Sequence, residues 1–124
     1  MPCLLQSLPV LFSVVPASPP GNVNAEVLSS TSIMVAWEEL PSIDQNGIII
    51  TYEVLLEPLK TFGGMIMEQQ FNSTGFSVNL TNLQEFVNYS ISVRAYTVVG
   101  PGNYSNAIVR MTLEDGEFIF VQKL

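Results

Sequence analysis

An all-β fold, an antiparallel two-sheet β-sandwich of seven strands, is what this 124-residue sequence predicts. Three observations lead there. From Val23 onward apolar residues recur with a period of two, which sets alternate side chains on one face of a strand. Runs of Pro, Gly, Asn and Asp interrupt these short segments at sandwich-like intervals. No segment carries an amphipathic-helix period, so parallel strands would lack the crossovers they require.

Val23, Ala25 and Val27 form the first alternating set, and Ile33, Val35 and Trp37 the second. Glu38-Glu39-Leu40-Pro41 ends that strand, and Asp44-Gln45-Asn46-Gly47 is turn chemistry suited to positive φ. Ile48 to Glu57 is rich in β-branched and aromatic residues, with Ile50, Tyr52, Val54 and Leu56 on one face and Glu53 and Glu57 on the other as a solvated surface. Pro58 stops it. Gly63-Gly64 turns the chain into a weaker strand, Met65 to Phe71, expected at a sheet edge. Phe76, Val78 and Leu80 alternate with Ser77 and Asn79, and Leu83 closes the bend that follows. Tyr89, Ile91, Val93 and Ala95 make the next inward row, Val99 to Asn103 a loop, and Ala107, Val109 and Met111 the last strand.

Forty-eight per cent of the residues are hydrophobic and 12% charged, a composition that folds, and the length suits one domain. Lys60, Arg94, Arg110 and Lys123 are scattered among eleven acidic residues, so no basic stripe exists for nucleic acid or for an anionic membrane. Cys3 is the only cysteine and histidine is absent, which excludes an internal disulfide and a thiolate metal cage and removes the commonest general base. No cofactor, metal site or catalytic residue is expected. The paired acids Glu53 and Glu57 sit on an open sheet face, whereas acid-base work needs a cleft and separated pKa values.

Residues 1–17 form an apolar leader, read as a candidate signal peptide or a non-native extension. Val15-Pro16-Ala17 has the small residues a signal peptidase reads, but no basic n-region precedes it and Pro9 interrupts the apolar stretch. It is too short for an ordinary membrane span.

With Trp37, Tyr52, Leu83 and Tyr89 in place as structural core, residues 18–115 resemble a fibronectin type III domain, an immunoglobulin-like sandwich. The resemblance rests on Pro19-Pro20, on Ser32-Ile33-Met34-Val35-Ala36-Trp37, on Tyr52-Glu53-Val54, and on Leu83 followed six residues later by Tyr89-Ser90-Ile91-Ser92-Val93-Arg94-Ala95. Gly100-Pro101-Gly102-Asn103-Tyr104-Ser105 through Thr112 fits the family's ending. The resemblance implies that Tyr89 is the tyrosine corner, whose hydroxyl ties back to nearby backbone. Immunoglobulin domains themselves are disfavoured, because Ile91 stands where their second cysteine belongs. Residues 116–124 form a C-terminal tail that departs from the pattern of a tandem repeat, so the chain is expected to be one repeat of a larger protein, cut out or truncated by splicing.

Four Asn-x-Ser/Thr triplets begin at Asn72, Asn79, Asn88 and Asn103, against about 1.4 expected by chance from the Asn, Ser and Thr content. They are candidate N-glycosylation sites and point to the secretory route; the competing reading is that these are ordinary turn and outer-face residues. Val98 to Asn103 occupies the loop that carries an Arg-Gly-Asp integrin motif in some family members, and it lacks that motif. Phe62 and the Met65-Ile66-Met67 run are further candidate contact points.

The resemblance implies a non-catalytic extracellular module that binds or spaces proteins in an adhesion or receptor protein, with other proteins or neighbouring domains as partners. Its alternatives are an intracellular scaffold repeat, and an ectodomain fragment of a receptor-type tyrosine phosphatase whose catalytic part lies outside the chain. Glycan mapping separates the intracellular reading from the others.

Overall fold

In the computed structural model, which describes residues 14–59 and 68–114, seven strands form two antiparallel sheets. β1 (Gly21–Val27), β2 (Ile33–Glu38) and β5 (Ser77–Leu80) make the smaller sheet, in the order β1-β2-β5. β3 (Thr51–Pro58), β4 (Gln69–Ser73), β6 (Asn88–Tyr96) and β7 (Ile108–Met111) make the larger, in the order β4-β3-β6-β7. One turn of helix, α1 (Ser42–Gln45), lies between β2 and β3, where the sequence reads as a turn. Asn46 ends it in the left-handed region with φ 58°, as an Asn-Gly pair favours.

The core follows the period-two rows of the central strands. Ile33, Val35 and Trp37 of β2 face Tyr52, Val54 and Leu56 of β3 and Tyr89, Ile91, Val93 and Ala95 of β6, all buried. Leu40, Leu80 and Leu83 close the ends of this layer. The Trp37 and Tyr52 rings lie 5.4 Å apart and tilted by 55°, within the favourable range for aromatic pairs. Among the described residues the indole Nε1 has no hydrogen-bond partner, and Trp37 is held by its packing in the core.

Three expectations change at the edges. The inward residues of β7 are Ile108, which packs on the core, and Arg110, while Val109 and Met111 are exposed. The row Ala107, Val109 and Met111 therefore faces out, because Arg110 reaches across the open side of the sandwich. Its Nε–H donates to the carbonyl of Ala25 (3.0 Å) and its Nη2 to Asn24 Oδ1 (2.9 Å), which lets the aliphatic stem cover the core while the charged head pairs at the rim. Phe76 precedes β5 and is half exposed, its ring 5.6 Å from that of Tyr52. Ile48 and Ile50 are exposed and lie outside β3, which starts at Thr51. The fourth strand runs Gln69–Ser73; Gly63, Gly64 and the Met65-Ile66-Met67 run, like Phe62 and Cys3, lie outside the described residues.

The Tyr89 phenol accepts a hydrogen bond from the Gln84 amide at 2.8 Å, five residues upstream, and thereby ties the bend before β6 to the strand it feeds. Across the same end, buried Thr112 accepts from the Val87 amide (3.0 Å) and donates to the Gln84 carbonyl (2.7 Å). Tyr89→Phe removes only the hydroxyl and should cost about 1 kcal/mol. Ile91→Ala empties the middle of the core and should cost about 3 kcal/mol. Urea titration checks both: the midpoint should fall more for Ile91→Ala than for Tyr89→Phe, at an unchanged denaturant slope.

Candidate functional site

The β3–β6 register sets Glu53 opposite Arg94 on the outer face of the larger sheet. Glu53 Oε1 collects three donors: Arg94 Nε–H at 2.5 Å, the Tyr104 hydroxyl at 3.0 Å and the Tyr96 hydroxyl at 3.2 Å. Arg94 Nη2 also donates to the Tyr96 oxygen at 3.1 Å, and its guanidinium lies 4.3 Å from the Tyr104 ring centre and 5.3 Å from that of Tyr96. Glu53 is consequently only 6% exposed, not the solvated surface acid that its outward position predicts. A charge on an outer face becomes buried when neighbouring long side chains close over it and supply its hydrogen bonds.

Burial, followed by the hydrogen bond and proximity of Glu53, pushes the Tyr104 phenol up to about 12. Burial disfavours the Arg94 charge, but the hydrogen bond to Glu53 and the surrounding acidic groups outweigh it and hold Arg94 above its ordinary value. Both hydroxyls and the guanidinium donate to the one carboxylate oxygen, so the group is a brace between strands. Sequence patterning hides it, because Tyr104 belongs to no alternating row; only the pairing of Tyr52 with Ala95 would have placed Glu53 against Arg94.

A second arrangement gathers at the end of the sandwich where β2 leads into α1. Residues Val14–Ala17 are bonded into it: the Val14 amide donates to the Asn46 carbonyl (3.0 Å), the Ala17 amide to the Asp44 carbonyl (2.7 Å), and buried Thr97 donates its hydroxyl to the Val14 carbonyl (2.8 Å). Asn46 Nδ2 donates to the Val15 carbonyl (3.1 Å). The expected Val99–Asn103 loop turns at Thr97–Gly100, which exchange backbone hydrogen bonds, and then runs back along β6, with Gly102 N–H donating to Ala95 and Ser105 N–H to Val93. Gly102 lies against Pro16 so closely that a Cβ would sit 2.7 Å from the Pro16 carbonyl oxygen. Around this seam Val14, Ile43, Ile48, Val98 and Val99 are exposed apolar side chains.

The four candidate glycan acceptors are dispersed. Asn72, on β4 opposite Glu53, and Asn79, on β5 opposite Met34, are exposed on the outer faces of the two sheets. Asn103 is exposed on the returning limb of the β6–β7 connection. Asn88 is half-buried at the start of β6, opposite Met111, and its carbonyl accepts from the Leu59 amide at 2.8 Å. Trp37, Tyr52, Leu83 and Tyr89 all lie in the core.

A profile described as fibronectin type III domain matches residues 18–110. The chain belongs to the fibronectin type III family. Over 102 residues it is 35% identical to protein sidekick-2 of Gallus gallus, a match covering 82% of this chain and 5% of that protein. Over 101 residues it is 35% identical to the human cell adhesion molecule DSCAML1, with the same two coverages. The chain thus spans about a twentieth of these relatives. The third fibronectin III domain of human KIAA0343 protein superposes with a TM-score of 0.74 at 25% identity, over 83% of this chain and 87% of that one.

In this fibronectin type III domain the bonded segment Val14–Ala17 lies just before the matched span. Gly102→Ala should push Pro16 away, since the obstructing atoms are its backbone carbonyl and ring Cβ, and should expose the Val14 and Ala17 amides. Hydrogen exchange at those two amides should speed up by about tenfold or more, equivalent to roughly 1.4 kcal/mol of lost protection, while the Ile91 and Val93 amides keep theirs.

Tyr104 supplies a pH dependence of known sign. Its folded pKa of about 12 lies above the ordinary 10.0, so the stabilisation is complete below pH 10 and is lost as the pH climbs toward 12. The unfolding midpoint of the fibronectin type III domain should drop across that window, and less so in Tyr104→Phe. Phenolate absorbance should show one late-ionising tyrosine that the variant lacks.

Proposed function

We propose that this domain is a non-catalytic module of a cell-surface adhesion protein, displayed outside the cell, where it spaces neighbouring domains or contacts other proteins. The observation that carries this reading is the 35% identity, across 82% of the chain, to a protein named as a cell adhesion molecule and to protein sidekick-2. The polar cluster is consistent with a mechanical part: Glu53, Arg94, Tyr96 and Tyr104 link β3, β6 and the returning limb on the outer face of the larger sheet. Contact surfaces are offered by the connections at the ends of the sandwich, the usual place for recognition on such a scaffold. One of these ends carries the exposed apolar side chains Ile43, Ile48, Val98 and Val99, which a neighbour could cover.

Antibody raised against the folded domain and applied to living, unpermeabilised cells that express the protein tests the reading. Surface staining that surface proteolysis abolishes is the expected result. Staining only after permeabilisation would overturn it in favour of an intracellular scaffold.

A further inference from the structure

The two flanks of the sandwich are guarded differently. On one flank, β1 has a register shift between Gly21 and Asn24 and carries Glu26, and Arg110 of β7 hydrogen-bonds across to β1. Irregular pairing and charge are ordinary means by which a sheet edge avoids adding a strand from another molecule. On the other flank, β4 and β5 are the outermost strands of their sheets, and among the described residues β4 pairs only with β3 and β5 only with β2. Neither Gln-Gln-Phe-Asn-Ser nor Ser-Val-Asn-Leu contains a charge or a proline, and both pair in unbroken register. Among the described residues the Ser73 hydroxyl of β4, which donates to the Ser77 carbonyl of β5 at 2.9 Å, joins these two strands, and no charge within either strand guards its edge. Yet an Asn-x-Ser/Thr triplet begins near the end of each, with Asn72 and Asn79 exposed on opposite outer faces.

We infer that N-linked oligosaccharides on Asn72 and Asn79 guard this flank against edge-to-edge pairing with another chain. A strand side chain stands roughly perpendicular to its sheet, so a branched sugar on Asn72 rises beside the open edge of β4, and one on Asn79 beside that of β5. The sugar is bulky and strongly hydrated, and an approaching strand would have to displace it before any backbone hydrogen bond formed. Asn88 and Asn103 do not serve this purpose: Asn88 begins a strand held between β3 and β7, and Asn103 lies on the returning limb of the β6–β7 connection. The inference rests on the extracellular reading above, because the sugar is added in the secretory route.

The test uses the full chain expressed through the secretory route of mammalian cells, with glycopeptide mass mapping and light scattering. Sugar on Asn72 and Asn79 is expected. Asn72→Gln/Asn79→Gln should fold with an unchanged thermal midpoint and yet at least double its apparent mass as concentration rises. Asn88→Gln/Asn103→Gln should stay monomeric. Adding Gln70→Lys and Ser77→Lys to the first variant puts a charge on each bare edge and should restore the monomer. Substitution is preferred to enzymatic sugar removal, because amidase cleavage leaves aspartate and so adds the charge the edges lack. Sugar confined to Asn88 or Asn103 would overturn the inference while leaving the extracellular reading intact, and so would a monomeric Asn72→Gln/Asn79→Gln. Bare asparagine at all four positions would overturn the inference, whereas the extracellular reading stands or falls on the surface staining described above.

Discussion

Eight consecutive pairs between β3 and β6, from Thr51–Tyr96 to Pro58–Tyr89, are the constraint on which the rest of this domain depends. Because side chains alternate, this one register decides two surfaces together. Inward it stacks Tyr52 on Ala95, Val54 on Val93 and Leu56 on Ile91, the centre of the core. Outward it brings Glu53 to Arg94, with Tyr96 two residues along the same strand face. A slip of one residue would bury the outer set and expose the inner one. The hydrophobic row makes such a slip costly, and the ion pair adds a second preference for the same register.

The way the sandwich is closed follows from that central pair. β6 extends beyond β7, whose four residues reach only Ile91, so the upper half of β6 needs other partners. The returning limb supplies them through Gly102 and Ser105, and Ser105 Oγ accepts a further bond from the Val93 amide at 2.9 Å. That limb carries Tyr104 to Glu53 and sets Gly102 against Pro16. The polar brace and the N-terminal seam are thus consequences of one irregular limb filling a gap beside a long strand.

How far the sequence can be read depends on which force places a residue. Trp37, Tyr52 and Tyr89 were legible because burial imposes a period of two, and Asn46 because its turn demands a left-handed residue. Arg110 was not, since a guanidinium may point inward at a rim if its stem packs and its head finds acceptors across the gap. Nothing in the alternation of Ala107, Val109 and Met111 distinguishes that solution from the simpler one. Glu53 was misread for a related reason: its burial depends on Tyr104, which is distant in sequence and belongs to no periodic row. The same holds for Val14–Ala17, whose composition resembles the end of a leader while its hydrogen bonds attach it to Asp44, Asn46 and Thr97.

The legible part is also the part that carries least functional information. A core of Val, Ile, Leu and one Trp specifies a sandwich, and many proteins use that sandwich for different contacts. What individualises this chain is its surface: an acid held by two tyrosines and an arginine, an apolar end crossed by its own N-terminal segment, and a flank whose two edge strands hold no charge and each carry the asparagine of an Asn-x-Ser/Thr triplet. Each lies where the repeating pattern stops, since a side chain free of the core's period can be spent on something other than folding. A module that acts by contact is expected to concentrate its individuality in such places.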